Sequence, residues 1–156
     1  MHRLVTVGLS SLLLALTACG GSEGSPTTTA ATGERVSAER YLADTTAAAA
    51  SVRAFATALD TQGAAATKEV LAAMVPRLDP PLAQAQLASQ RLNAEVLTDQ
   101  RLETQRGAYA IAFAAAVSSM KKVREAAVAG DGAATRDAST ELSQSLVGLQ
   151  NLAKAP

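Results

Sequence analysis

The sequence predicts an all-α fold, an antiparallel up-down four-helix bundle, on three observations. Alanine, the strongest helix former because ordering costs its side chain no entropy, supplies 36 of the 156 residues. Valine and isoleucine are sparse, and the aromatics are only Tyr41, Phe55, Tyr109 and Phe113, so the strand-favouring inventory is thin. From about residue 36 onward, apolar residues recur at alternating steps of three and four, in four amphipathic segments joined by short turns.

In the first segment the apolar stripe reads Leu42, Thr45, Ala49, Val52, Ala56 and Leu59, with Phe55 beside it. Ser37 is placed as an N-cap and Gly63 as the residue just past the end, which predicts a helix over about 37–61. The second segment keeps one phase through Leu71, Met74, Val75, Leu78, Leu82, Ala85, Ser89, Leu92 and Val96, but Pro76, Pro80 and Pro81 interrupt it. Proline lacks the backbone donor and clashes with the preceding turn. The expectation is therefore a short helix near 65–75, a break, and a fresh start at Pro80 with Asp79 as its cap.

The third segment carries Leu102, Tyr109, Phe113, Ala116, Val117, Met120, Val123 and Ala127, and it ends at Ala129-Gly130-Asp131-Gly132, the clearest turn in the chain. An uninterrupted helix from 80 to 129 would be ~75 Å long at 1.5 Å per residue, so a bend is expected at Leu97-Thr98-Asp99-Gln100, with Thr98 or Asp99 as the next cap. The last segment has Ala134, Ala138, Leu142, Ser145, Leu146, Leu149 and Leu152. Four stripes can satisfy one another within one chain, so the domain over 34–156 is expected to be monomeric. A two- or three-helix hairpin or a coiled-coil dimer is the alternative.

The N-terminus has a different grammar. Met1-His2-Arg3 is followed by an apolar run from Leu4 to Leu16, too short to span a ~30 Å hydrocarbon layer but suited to the core of an export signal. The run closes Leu16-Thr17-Ala18-Cys19, an aliphatic residue, two small residues and a cysteine. In these first nineteen residues the chain resembles the bacterial lipoprotein precursors, whose signal ends in such a lipobox. The resemblance implies diacylglyceryl attachment to the Cys19 thiol, cleavage between Ala18 and Cys19, and residence on the extracytoplasmic face of a membrane. Two or three acyl chains hold a protein firmly where one holds it marginally. The other reading of Cys19, the only cysteine, is a free or intermolecularly paired thiol in a secreted protein. Residues 20–33, GGSEGSPTTTAATG, then read as a disordered tether. Fourteen such residues span ~20 Å on average, from about 5–6 Å × √n.

Chemistry is thin in what remains. The only histidine, His2, lies in the signal, so the mature chain is expected to lack His–nucleophile pairs, His/Cys zinc sites and Glu-x-x-His iron sites. No cofactor is predicted and no catalytic residue is assigned. With 14 basic and 14 acidic residues there is no nucleic-acid footprint, and the cluster Lys121, Lys122 and Arg124 reads as a solvated helix face. Glu95, Asp99 and Glu103 stand at i, i+4 and i+8; on a continuous helix they would offer three carboxylates to a hard cation, but the expected bend and the nearby Arg91, Arg101 and Arg106 favour a salt-bridged face.

The functional expectation is a membrane-anchored, non-enzymatic helical module that binds a partner protein or a cell-envelope component. The alternative is a carrier or sensor of an apolar small molecule held between helices near Tyr109, Phe113 and Met120. An enzyme is the third reading.

Overall fold

The computed structural model describes residues 33–60 and 67–154; the expected export signal, Cys19, the expected tether up to residue 32 and the expected helix end at Gly63 lie outside the described residues. Among the described residues the elements run β1 (Glu34–Val36), α1 (Ala38–Asp60), α2 (Lys68–Ala94), β2 (Glu95–Leu97), α3 (Gln100–Ala129) and α4 (Gly132–Lys154). Four helices packed against one another make an all-α four-helix bundle. One hydrophobic cluster with side chains from all four helices forms the core, and Phe55, Phe113, Leu71, Leu78, Leu92, Met120 and Val123 are its largest fully buried members.

The helix starts follow capping chemistry. Ser37 Oγ accepts from Arg40 N–H at 3.2 Å, Thr67 Oγ1 from Val70 N–H at 3.4 Å, and Asp99 Oδ1 from Arg101 and Leu102 N–H at 2.9 and 3.0 Å. Gly130 closes α3 in the left-handed conformation at φ 70, donating to the carbonyls of Ala126 and Ala127. Asp131 at once caps α4, accepting from Ala133 and Ala134 at 3.0 and 2.9 Å. Gly130 is also constrained by contact, because a Cβ there would meet Lys68 Cγ at 2.6 Å.

Contacts between helices fix how they run. Lys68 lies beside Gly130, Asp79 pairs with Arg124, and Arg106 reaches the carbonyl of Leu92, so residue numbers rise on α2 as they fall on α3. Across the Gly130-Asp131 turn, Lys122 meets Glu141 at 2.6 Å, which makes α3 and α4 a hairpin. In α1, Asp44 meets Arg91 in the last turn of α2, so α1 begins where α2 ends. Helix α4 packs chiefly on α3, and both helices carry small buried residues, Ala116 and Ser119 on α3 and Thr135 and Ala138 on α4.

Three expectations are corrected. Helix α2 is continuous from Lys68 to Ala94, with Pro76, Pro80 and Pro81 inside it, so the expected break is absent. The three missing donors orphan the carbonyls of Ala72, Pro76 and Arg77, four residues earlier. All three residues are exposed, so water can take those carbonyls, while burial of Leu71, Met74, Leu78 and Leu82 on the opposite stripe holds the helix together. Asp79 therefore caps nothing and pairs with Arg124. The second correction is the register of α1. Its buried positions are Tyr41, Ala48, Ser51, Val52 and Phe55, whereas Leu42 is 61% exposed. Tyr41 and Phe55, fourteen residues apart and so on one heptad phase, bury far more area than the alanines beside Leu42. The third correction is a two-stranded parallel ladder, with Glu34, Arg35 and Val36 in register with Glu95, Val96 and Leu97. The expected bend near residue 97 is present, and part of it is a strand that receives the first described residues of the domain.

Candidate functional site

The end of the bundle that carries β1 and β2 gathers most of the charge in the interior. Glu95 arrives there because α2 ends at Ala94, and Glu95 turns into extended conformation (φ −78, ψ 146). Its side chain is directed inward and the residue is 2% exposed. Asp44, from the second turn of α1, faces it. Arg40 Nε approaches Asp44 Oδ2 at 3.5 Å, and Arg91 approaches Asp44 Oδ1 at 3.7 Å. From α3, Arg106 forms a two-pronged pair with Glu103 and donates to the Leu92 carbonyl at 2.6 Å. Glu103 in turn accepts from Leu97 N–H at 2.8 Å. Tyr41 closes the floor of the cluster, 8% exposed.

These groups have unequal fates. Arginine hydrogen bonding holds the Glu103 carboxyl below the usual carboxylate range, and the same bond raises Arg106 further above its ordinary value. Burial pushes the Tyr41 phenol up. Glu95 goes the other way from Glu103: desolvation first, then its hydrogen bond and charge contact with Asp44, push its carboxyl up from 4.5 to about 7. Both carboxylate oxygens of Glu95, and Asp44 Oδ2, find no N–H or O–H donor. A carboxylate only accepts hydrogen bonds, so two facing carboxylates cannot satisfy each other.

The predicted acidic ladder is taken apart by this arrangement. Glu95 lies in β2, Asp99 is an N-cap, and Glu103 is tied to Arg106 and Leu97, so the three carboxylates serve three separate purposes. Among the described residues no three metal-ligating side chains come together. The basic cluster on α3 also divides, with Lys122 bridging to Glu141 on α4 and Arg124 to Asp79 on α2. Sequence reasoning missed Arg40, Tyr41 and Asp44 as members of the buried cluster. Fifty-one residues separate Asp44 from Glu95, and no spacing in the sequence announces their contact.

The aromatic positions considered as a ligand pocket are core. Phe113 and Met120 are fully buried, and Tyr109 stacks on Phe113 with centroids 6.1 Å apart while its hydroxyl donates to the Thr45 carbonyl at 3.4 Å. A groove of about 520 Å³ runs between α2 and α3, lined by Asp79, Leu82, Gln86, Lys121, Arg124 and Glu125. No described helix is long and apolar enough to cross a membrane. Several large apolar side chains face outward: Ile111 at 75% exposure, Leu42 at 61%, and Leu87, Val128 and Val147 at 55–57%. No family model, curated protein or solved structure matches this chain.

Proposed function

We propose that the chain is a membrane-anchored extracytoplasmic lipoprotein, held by lipid on Cys19, whose helical domain is a non-enzymatic module binding a partner protein or cell-envelope component. The anchor rests on the lipobox Leu16-Thr17-Ala18-Cys19. The binding role rests on one observation: large apolar side chains lie on the outside of a bundle whose core is already filled by all four helices. Counting along the α3–α4 hairpin from the Lys122–Glu141 pair brings Ile111 level with Leu152, 75% and 37% exposed, at the end away from Gly130. Exposed apolar area is where a partner gains most by excluding water.

Packing of Phe113, Met120 and Tyr109 against neighbouring side chains weighs against the carrier reading, which needs those positions to line a cavity.

The test is a photo-crosslinking amino acid at Ile111 or Val147 in the full lipoprotein, expressed in its own host. A discrete adduct from these positions, and none from exposed Gln90 on α2, is expected. Equal labelling at all three, or no adduct, would contradict a binding face on the hairpin.

A further inference from the structure

We infer that Asp44 and Glu95 form a proton-sharing acid pair that acts as a pH-sensitive latch, holding β1 against β2 while the proton is shared and releasing it once both carboxyls are charged. The geometry has three parts. Glu95 is 98% buried with both side-chain oxygens lacking a hydrogen-bond donor, and Asp44 Oδ2, though 3.5 Å from Arg40 Nε, has no hydrogen bond either. Glu95 is also the first residue of β2, in register with Glu34 at the start of β1. Finally, Gly33, just ahead of β1, packs so closely on the junction of α2 and β2 that a Cβ would stand 2.7 Å from the Ala94 carbonyl oxygen. The strand that receives the incoming chain thus begins on the buried acid itself.

The groups facing Glu95 come from every element around it. From β1 there is Glu34, which approaches Arg40 at 3.9 Å and is largely exposed. From α1 there are Arg40, Tyr41 and Asp44, and from α2 there is Arg91, which reaches Asp44 but has no hydrogen bond to Glu95. From α3 there are Arg106, which donates to Glu103 and to the Leu92 carbonyl, and Glu103, which accepts from Arg106 and from Leu97 N–H. The arginines moderate the charge without supplying a donor to Glu95. Ionised, its carboxylate is buried without a partner and next to a second negative charge, and the least costly relief is to swing β2 outward into water. That motion breaks the three-residue ladder, the shortest paired element in the fold, and leaves the helices in place. The pull of burial and of Asp44 on the Glu95 carboxyl, which raises it to about 7, puts the change within reach of ordinary external pH.

The test uses the full mature chain and follows backbone amide exchange at residues 34–36 and 95–97, corrected for intrinsic rates, from pH 5.5 to 8.5. Protection of these amides is expected to fall about tenfold relative to core amides of α3, and Glu95→Gln is expected to abolish that fall. Unchanged protection across the range, or the same fall in Glu95→Gln, would overturn the latch. A second measurement needs no variant: the side-chain carboxyl carbon of Glu95, followed by NMR, should titrate near neutrality. A midpoint in the ordinary glutamate range would overturn the acid pair.

Discussion

Glu103 accepts a hydrogen bond from the backbone N–H of Leu97 at 2.8 Å, and so ties the first turn of α3 to the end of β2. The same carboxylate holds Arg106. Glu103→Ala would strand a buried N–H on Leu97, itself 6% exposed, and leave Arg106 with only the Leu92 carbonyl as acceptor. A loss of ~1–3 kcal/mol in chemical denaturation is expected, the range for an orphaned buried group. Glu103→Gln keeps an acceptor for Leu97 and should lose less. Equal losses would mean that the Arg106 charge pair, and not the Leu97 bond, carries the effect.

Stability should respond to pH with opposite signs at two neighbouring carboxyls. The folded-state value of Glu95 is raised above 4.5 to about 7, so its contribution is complete below pH 4.5 and is lost as pH rises toward and past 7. The amplitude is at most roughly 3.5 kcal/mol, at about 1.4 kcal/mol per unit. Glu103 is lowered, so its contribution is present above the ordinary carboxylate range and is lost as pH falls through its depressed folded value. Thermal melts of Glu95→Gln across pH 4–8 should lack the decline toward neutrality and keep the acid-side loss. A parental decline that persists in Glu95→Gln would contradict this assignment.

Gly33→Ala places a methyl 2.2 Å from Val96 Cγ2 and 2.7 Å from the Ala94 carbonyl oxygen. The valine can rotate; the backbone oxygen cannot. A destabilisation of ~1–3 kcal/mol is expected, and adding Val96→Ala should restore only part of it. Full restoration by Val96→Ala would show that the backbone contact is not limiting.

The register of α1 can be read by alanine substitution. Phe55 is fully buried, and Phe55→Ala should cost ~3–5 kcal/mol, whereas Leu42→Ala, at a position 61% exposed, should stay within about 0.5 kcal/mol. On α4, Leu142 and Leu149 are 2% and 7% exposed, so truncating either should cost ~2–5 kcal/mol, while Ala at exposed Asp137 or Gln144 changes little. Comparable costs at Leu42 and Phe55 would return α1 to the register its leucines suggest.

The parts of this fold legible in the sequence are those in which one residue type forces one geometry. Ser37 was readable as a cap, Asp99 as one of two candidates with Thr98, and Gly130 as part of a turn; the stripes of α2, α3 and α4 gave the core-facing sides, except that Leu152 at the end of α4 is exposed. In α1 alanines occupy both candidate stripes, so counting apolar positions cannot separate two registers that differ in aromatic area. The prolines of α2 misled because propensity is local, whereas the burial of Leu71, Leu78 and Leu82 that keeps the helix whole is tertiary. The β1–β2 ladder and the Asp44–Glu95 contact join residues more than fifty apart, and neither leaves a periodic trace. Of that contact only Glu95 stood out in the sequence, as the head of an acidic ladder whose supposed common face does not form.

Where the domain is held is tested most directly by Cys19→Ser, because it removes the thiol that would carry the lipid. In the native host the parent chain should sediment with membranes and resist extraction by high salt. The Cys19→Ser chain should leave the membrane fraction, with lipoprotein-type processing blocked. A Cys19→Ser protein that still pellets with membranes in high salt would contradict the lipid anchor.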